Sequence, residues 1–213
     1  LSMFYHLKTG KEILGLKKYL RRRQQSGKED DIDGWIRMVA TNRLTGHSKG
    51  FFSVYTLPPN QAVTREGQAK INKKLRQKPE YRDTHALILR KSKSLLRNIT
   101  DAQTQNLVTA SRTARFLTED SRLTKSIDPD SVQLTVTSPP FLDIVDYRTD
   151  NWLRCWFNSI DDHKITRSIT TAKALKEWSG FIGEVFGELF RITKRGGWVA
   201  FEVGEVRGGR VKL

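Results

Sequence analysis

The residues best suited to chemistry are four in a row, Ser138-Pro139-Pro140-Phe141. Two prolines fix the backbone in an extended, rigid bend and remove two donors, which leaves the Pro139 carbonyl outside helix and sheet, able to face a ligand. The Ser138 hydroxyl accepts as well as donates, and Phe141 offers a flat apolar surface. Together they make a pair of oxygen acceptors beside a stacking platform. The same four residues also read as a strand-ending turn followed by a core phenylalanine. The context favours a site, because the alternating, β-branched run Ser131-Val132-Gln133-Leu134-Thr135-Val136-Thr137 reads as a strand leading straight into the bend.

The elements around this bend form one strand–helix–strand unit. A helix is expected from about Lys173 to Thr193, with Leu175, Phe181, Ile182, Val185, Phe186, Leu189 and Phe190 on one face. Lys194-Arg195-Gly196-Gly197 suits its end, since cations favour a helix C-terminus and glycine the left-handed cap. The apolar run 198–203 then reads as a second buried strand. Strand, long helix, strand implies a parallel α/β sheet, and in open sheets of this kind ligands sit beyond the carboxyl ends of the strands. The bend occupies that place.

Residues 1–114 read differently, as mostly helical and strongly polar. Ile13, Leu14, Leu16 and Leu20 recur at helical spacing before Arg21-Arg22-Arg23, and Asp30 and Asp31 suit the cap of a helix carrying Trp35, Ile36, Met38 and Val39. Phe51-Phe52-Ser53-Val54-Tyr55 is rich in strand formers, and Leu57-Pro58-Pro59-Asn60 after it must leave regular structure. Between Arg65 and Arg97 eleven Lys and Arg face only Glu66, Glu80 and Asp83, an excess of eight, more than half of the chain's formal charge of +15. Charge runs of this kind are either solvated helix faces or phosphate contacts.

Composition bounds what else the chain can be. Its 213 residues can bury a real core. Cys155 is the single cysteine, which excludes an internal disulfide and a cysteine-cluster metal site, and it reads as a small apolar residue on a helix. The four histidines lack ligand spacing. No apolar run approaches the roughly 20 residues of a membrane span, so the expected setting is soluble and cytoplasmic, with no membrane partner. Gly208-Gly209 before Arg210-Val211-Lys212-Leu213 reads as a turn toward a further strand, and the expectation is a fragment or a subunit completed by another chain.

Thr137-Ser138-Pro139-Pro140-Phe141 resembles the (S/N/D)-P-P-(Y/F/W) motif of the S-adenosylmethionine-dependent DNA methyltransferases that modify exocyclic amino groups, the cytosine-N4 and adenine-N6 enzymes. Glu119-Asp120-Ser121 resembles that family's acidic turn near the cofactor adenine, and Leu189 to Trp198 its helix-to-strand passage. Asp146-Tyr147 and Asp150-Asn151-Trp152-Leu153-Arg154 resemble the segment after the motif in a subset of bacterial and phage enzymes; Thr41 to His47 and Tyr55 to Gln61 are similar to stretches before it. The resemblance implies a partial Rossmann-like methyltransferase sheet at 115–213, preceded by a basic helical target-recognition region at 1–114. It implies Ser138, Pro139, Pro140 and Phe141 as catalytic, with S-adenosyl-L-methionine as cofactor, and Thr137 and Asp120 beside it, a turn cap being the other reading of Asp120.

An exocyclic amine is a weak nucleophile because its lone pair is delocalised into the ring. Acceptors aimed at its hydrogens favour the pyramidal nitrogen of the transition state. The Ser138 hydroxyl and Pro139 carbonyl suit that task, and Phe141 suits a base flipped from the duplex. Serine at 138 leans the expectation toward cytosine-N4 over adenine-N6. For DNA contacts the expected residues are Arg21, Arg22, Arg23, Lys70, Lys73, Lys74, Arg76, Arg90, Lys91 and Lys93, in a nucleoid-associated protein of a bacterial or phage-like restriction–modification setting. The departure from the family is the missing Gly-rich cofactor turn and the acid after it, so a second chain or missing segment is expected to carry them. An RNA base methyltransferase and a non-catalytic DNA-recognition subunit of a split enzyme are the alternatives.

Overall fold

The computed structural model describes residues 1–56, 64–139, 147–163, 172 and 174–203. The Pro58-Pro59 turn, Pro140, Phe141, Asp146 and the Gly208-Gly209 turn lie outside them. Helices α1 (Leu7–Gln25), α2 (Asp31–Thr41), α3 (Arg65–Leu75), α4 (Thr84–Leu96) and α5 (Asp101–Thr113) precede strand β1 (Val132–Thr137); α6 (Tyr147–Asn158), α7 (Leu175–Ile192) and strand β2 (Thr193–Phe201) follow. Helix and parallel strand are thus mixed, as an α/β class requires. No described helix is long and apolar enough to cross a membrane.

The chain makes two compact units, Leu1–Thr104 with Asp146–Ser168, and Gln105–Val145 with Ile169–Leu213. Where a division at residue 114 was expected, the backbone makes a discontinuous one: α6 belongs with the N-terminal helices. The physical reason is its apolar face. Leu153 and Phe157 are fully buried among Phe4, Ile13, Leu20, Val39 and Phe52, and burial of one such side chain contributes roughly 1.5–3 kcal/mol. Lys17 secures the end of α6, donating to the carbonyls of Trp156 and Phe157 and to the Ser159 hydroxyl at 2.7 Å.

Within this first unit the caps form where the acidic residues stand. Asp30 accepts from the Asp33 amide at 2.9 Å while Asp33 accepts from the Asp30 amide at 3.3 Å, a reciprocal box that starts α2. The expected strand at 51–55 does not form; only an isolated bridge joins Gly46 to Tyr55. Arg82 explains why. Its half-buried guanidinium takes the carbonyls of Ser48 (3.0 Å), Phe51 (2.9 Å) and Ser53, acceptors that a ladder would need.

The second unit is built on β1 and β2, which pair in parallel from Leu134↔Trp198 to Thr137↔Phe201. Helix α7 lies against one face of the pair: Val185, Leu189 and Ile192 pack with Val132 and Val199, and Trp178 and Ile182 with Phe201. The glycine cap expected at Gly196 is corrected here. The helix ends at Ile192 on an extended Thr193, so β2 starts at once, and Gly196, at φ +74°, sits inside the strand. Two steps along β1, from Val132 to Leu134, match five along β2, from Thr193 to Trp198. The surplus residues bulge, and the left-handed glycine turns the chain back into register.

Gly197 closes that bulge. A Cβ there would lie 2.7 Å from Thr193 Cγ2, 2.9 Å from the Lys194 oxygen and 3.0 Å from the Gln133 oxygen. Two of the three are backbone, which cannot step aside. Gly197→Ala should therefore cost about 1–3 kcal/mol, whereas Gly180→Ala, mid-helix with open space around it, should gain about 0.5–1 kcal/mol. Urea unfolding of the two variants checks the pair of signs.

Candidate functional site

The carboxyl end of β1 is where the strand hands over to the motif. Thr137 is the last paired residue, half-buried and in register with Phe201, and its carbonyl accepts the Glu202 amide at 2.9 Å. The ladder stops there. Ser138 is exposed and Pro139 half-buried, so the hydroxyl expected to act as an acceptor is open at the strand tip. Pro140 and Phe141 lie outside the described residues. Because β1 and β2 run parallel, the tip of β1 and the Phe201–Glu202 end of β2 lie at the same end of the sheet, its carboxyl end, where α/β sheets take ligands.

The strand keeps this position through the loop before it. Glu188 of α7 is nearly buried and pairs with Arg191 at 2.6 Å; it accepts the Thr124 amide at 2.7 Å, while Arg191 donates to the Thr124 (3.1 Å) and Ile127 (2.9 Å) carbonyls. The Asp130 and Ser131 amides then bond the carbonyls of Arg191 and Ile192. Four residues ahead of β1 are thus fastened to the end of α7. Sequence reading missed Glu188 and Arg191; the only signal was an acid and a base three apart on a helix whose other inward positions are apolar.

Asp120 is exposed and already engaged. Arg122 donates to its carboxylate from Nη2 at 2.7 Å and from its backbone amide at 2.9 Å, and reaches Glu184 of α7 at 3.3 Å. These bonds from Arg122 hold the Asp120 carboxyl at about 2. The arrangement is a turn cap, and it spends the oxygens that a ribose or adenine would use. Glu119 is spent likewise, on the Ser126 hydroxyl and amide.

The basic residues separate into two groups. Arg23 is taken up by Asp33 and Asp30, at 2.7 Å each, and Arg82 by its three carbonyls. Burial pushes the Arg82 and Arg43 guanidinium groups downward, and Arg43 stacks 4.1 Å from the Phe51 ring centroid. By contrast Arg21 and Arg22 are exposed at the end of α1, and Lys70, Lys73 and Lys74 are exposed on α3 at a spacing that gives them one face. Arg76 is exposed just past them, in the left-handed cap of α3. On α4, Arg90 and Lys93 are exposed and Lys91 is half-buried. Trp152 belongs to the core side: it lies 6.0 Å from Phe4, with Arg65 5.6 Å over its ring.

Comparison with known proteins finds no matching family model, no similar curated protein and no similar solved structure.

The Glu188–Arg191 pair makes the second unit sensitive to acid. Arg191, and then Thr124, hold the Glu188 carboxyl near 2 when folded, below its ordinary 4.5. A depressed folded value contributes stability that is present above pH 4.5 and lost as pH falls toward 2. Unfolding midpoints measured across that window should drop, and Glu188→Gln should flatten the dependence at the cost of lower stability at pH 7.

Proposed function

We propose that this chain is the catalytic half of a DNA amino methyltransferase, in which a methyl group from S-adenosyl-L-methionine is transferred to the exocyclic nitrogen of a flipped base, cytosine-N4 in preference to adenine-N6. One observation carries the reading: Thr137-Ser138-Pro139-Pro140-Phe141 starts at the carboxyl end of a parallel strand, with the Ser138 hydroxyl exposed at its tip. In this reading the Rossmann-like sheet of the complete enzyme includes β1 and β2.

What the chain's own residues do follows from their chemistry. The Ser138 oxygen and the Pro139 carbonyl would accept hydrogen bonds from the two amino hydrogens, which draws the nitrogen lone pair out of conjugation as the new bond forms, and one of those two protons then leaves to solvent so that the methylated nitrogen ends neutral. Phe141 stacks on the extruded base and offsets part of the lost stacking. No covalent link to the protein is required. Cys155 is buried, and its thiol is pushed up by that burial, the opposite of an activated nucleophile.

The cofactor does not fit the described residues. Gly196 and Gly197 form the one glycine pair among them, and they stand where β2 begins, at the other end of the sheet from Ser138. Asp120 is engaged by Arg122. The adenosyl group is therefore assigned to a Gly-rich segment on a second chain or elsewhere in the protein. A second reading, a DNA-recognition subunit without chemistry of its own, draws on the same two facts.

The exposed cations supply the phosphate contacts. Lys70, Lys73 and Lys74 on α3, with Arg76, Arg90, Lys93, Arg21 and Arg22, have side chains at the surface, whereas Arg23 and Arg82 are held internally.

Two experiments test this. In the enzyme reconstituted with its cofactor-binding half, Ser138→Ala and Phe141→Ala should each lower methyl transfer to duplex DNA by roughly a hundredfold or more while DNA binding survives; full activity in both ends the proposal. Separately, replacing Lys70, Lys73 and Lys74 by Ala should reduce the slope of log affinity against log salt by roughly 0.9 for each phosphate that is no longer neutralised. An unchanged slope removes α3 from the interface.

A further inference from the structure

Arg23, Arg37, Arg122 and Arg191 each meet a carboxylate. Arg43, Arg82 and Arg90 form no ion pair among the described residues, yet all three reach one short loop of the first unit, residues 48–53. Arg82 donates to the loop's carbonyls and holds it in place, and Arg43 lies half-buried over the Phe51 ring, 4.1 Å from its centroid. Like charges gathered beside a partly buried surface cost free energy unless an anion joins them.

The place for that anion is beside Gly50. A Cβ there would lie 3.4 Å from Ser48 Oγ, 3.9 Å from Arg90 Nη2 and 4.0 Å from Arg43 Nη1. Gly50 is outside the left-handed region, so its conformation does not call for glycine; what the missing side chain gives is close approach to the backbone. The donors around it are unspent. Arg43 bonds only through Nε, to the Asn42 carbonyl at 3.0 Å, and its Nη groups have no acceptor among the described residues. Arg90 reaches the Lys49 carbonyl only at 3.4 Å. The Ser48 hydroxyl accepts the Gly50 amide at 3.3 Å, which leaves its own proton to donate. Two guanidinium groups and a hydroxyl reaching one point from different elements suit a tetrahedral oxyanion, whose oxygens face several directions, better than a flat carboxylate.

We infer that Arg43, Ser48 and Arg90 form a site for one phosphate group, seated over Gly50 with the exposed Lys49 at its rim. A backbone phosphate of DNA is the favoured source, since Arg90 and Ser48 are exposed and Arg90 shares α4 with the exposed Lys93. A free phosphate monoester presents the same oxygens. Only that choice of source rests on the proposed function; the anion site does not, and a chain without it still has the α3 lysines for DNA.

The test titrates inorganic phosphate into the whole chain, with chloride at equal ionic strength as reference, and follows thermal unfolding. Stabilisation by phosphate excluded from the surface acts on every variant alike, so differences between variants read the site. Wild type should gain more than Arg90→Gln, whose phosphate binding should be weaker by at least about tenfold. Gly50→Asp sets a carboxylate between the two guanidinium groups. Without phosphate it should melt above Gly50→Asn, its neutral isostere, and phosphate should raise it no more than it raises Arg90→Gln. Circular dichroism confirms folding, and Gly50→Asp carries the test alone if Arg90→Gln does not fold. With duplex DNA, Arg90→Gln should lower the slope of log affinity against log salt by roughly 0.9; an unchanged slope beside lost binding of inorganic phosphate assigns the site to a free monoester. Equal phosphate responses in wild type and Arg90→Gln, or a Gly50→Asp chain no more stable than Gly50→Asn, would overturn the site.

Discussion

The parallel pairing of β1 with β2 is what gives Ser138 a definite position. Its four regular register pairs fix the end of β1 beside the end of β2, and the Glu202 amide on the Thr137 oxygen closes the ladder at the last residue before the motif. The position of the strand tip depends on that closure. A slip of one residue would turn Leu134 and Val136 toward α7 and present a different residue at the tip. Against such slippage stand the Gly196–Gly197 bulge, packed closely enough that a Cβ at 197 would meet backbone oxygens, and the Glu188–Arg191 clamp on the loop before β1. Both act at the start of the strands and set what happens at their far end.

In the first unit the same side-chain type serves two ends. Arg23, Arg37, Arg82 and Lys17 each bond acidic or carbonyl oxygens between separate segments, and hold α1, α2, α6 and the 48–53 loop together. Lys70, Lys73 and Lys74 of α3 instead stand exposed. The cations open to a polyanion are therefore fewer than the 38 Lys and Arg of the sequence, and Arg21, Arg22, Lys70, Lys73 and Lys74 are among the exposed ones. A charge excess seen in sequence becomes an interface only after the internally bonded cations are set aside.

Much of the local structure was legible. Asp30 before an apolar-periodic run gave the cap of α2, and the alternation at 131–137 gave β1. The strand–helix–strand order gave a parallel pair, because two adjacent apolar strands separated by a long helix have few other solutions. Three features were not legible, each for a tertiary reason. Phe51 to Tyr55 has strand composition, but its carbonyls are claimed by Arg82, far along the chain. The glycines after α7 suit a helix cap and a bulge equally well; the choice is made by the register of a partner strand. The placement of α6 with the N-terminal helices depends on which core accommodates Leu153 and Phe157, and neighbouring residues do not encode that. At the strand tip, the place of Ser138 just past β1 could be read from the alternation before it, and a turn cap was one of two readings of Asp120; its partner Arg122 was hidden, since an acid followed by an arginine is too common to signify.

Central to the proposed chemistry is the meeting of the strand tip with a base drawn out of its duplex. Photocrosslinking of this chain to DNA carrying 5-iodocytosine at the methylatable position tests it most directly. The expected result is a crosslink mapping to the peptide that contains Ser138 to Phe141, abolished when the duplex is replaced by one without the recognition sequence. Crosslinks confined to the lysine-bearing helices, with none at the tip, would contradict it.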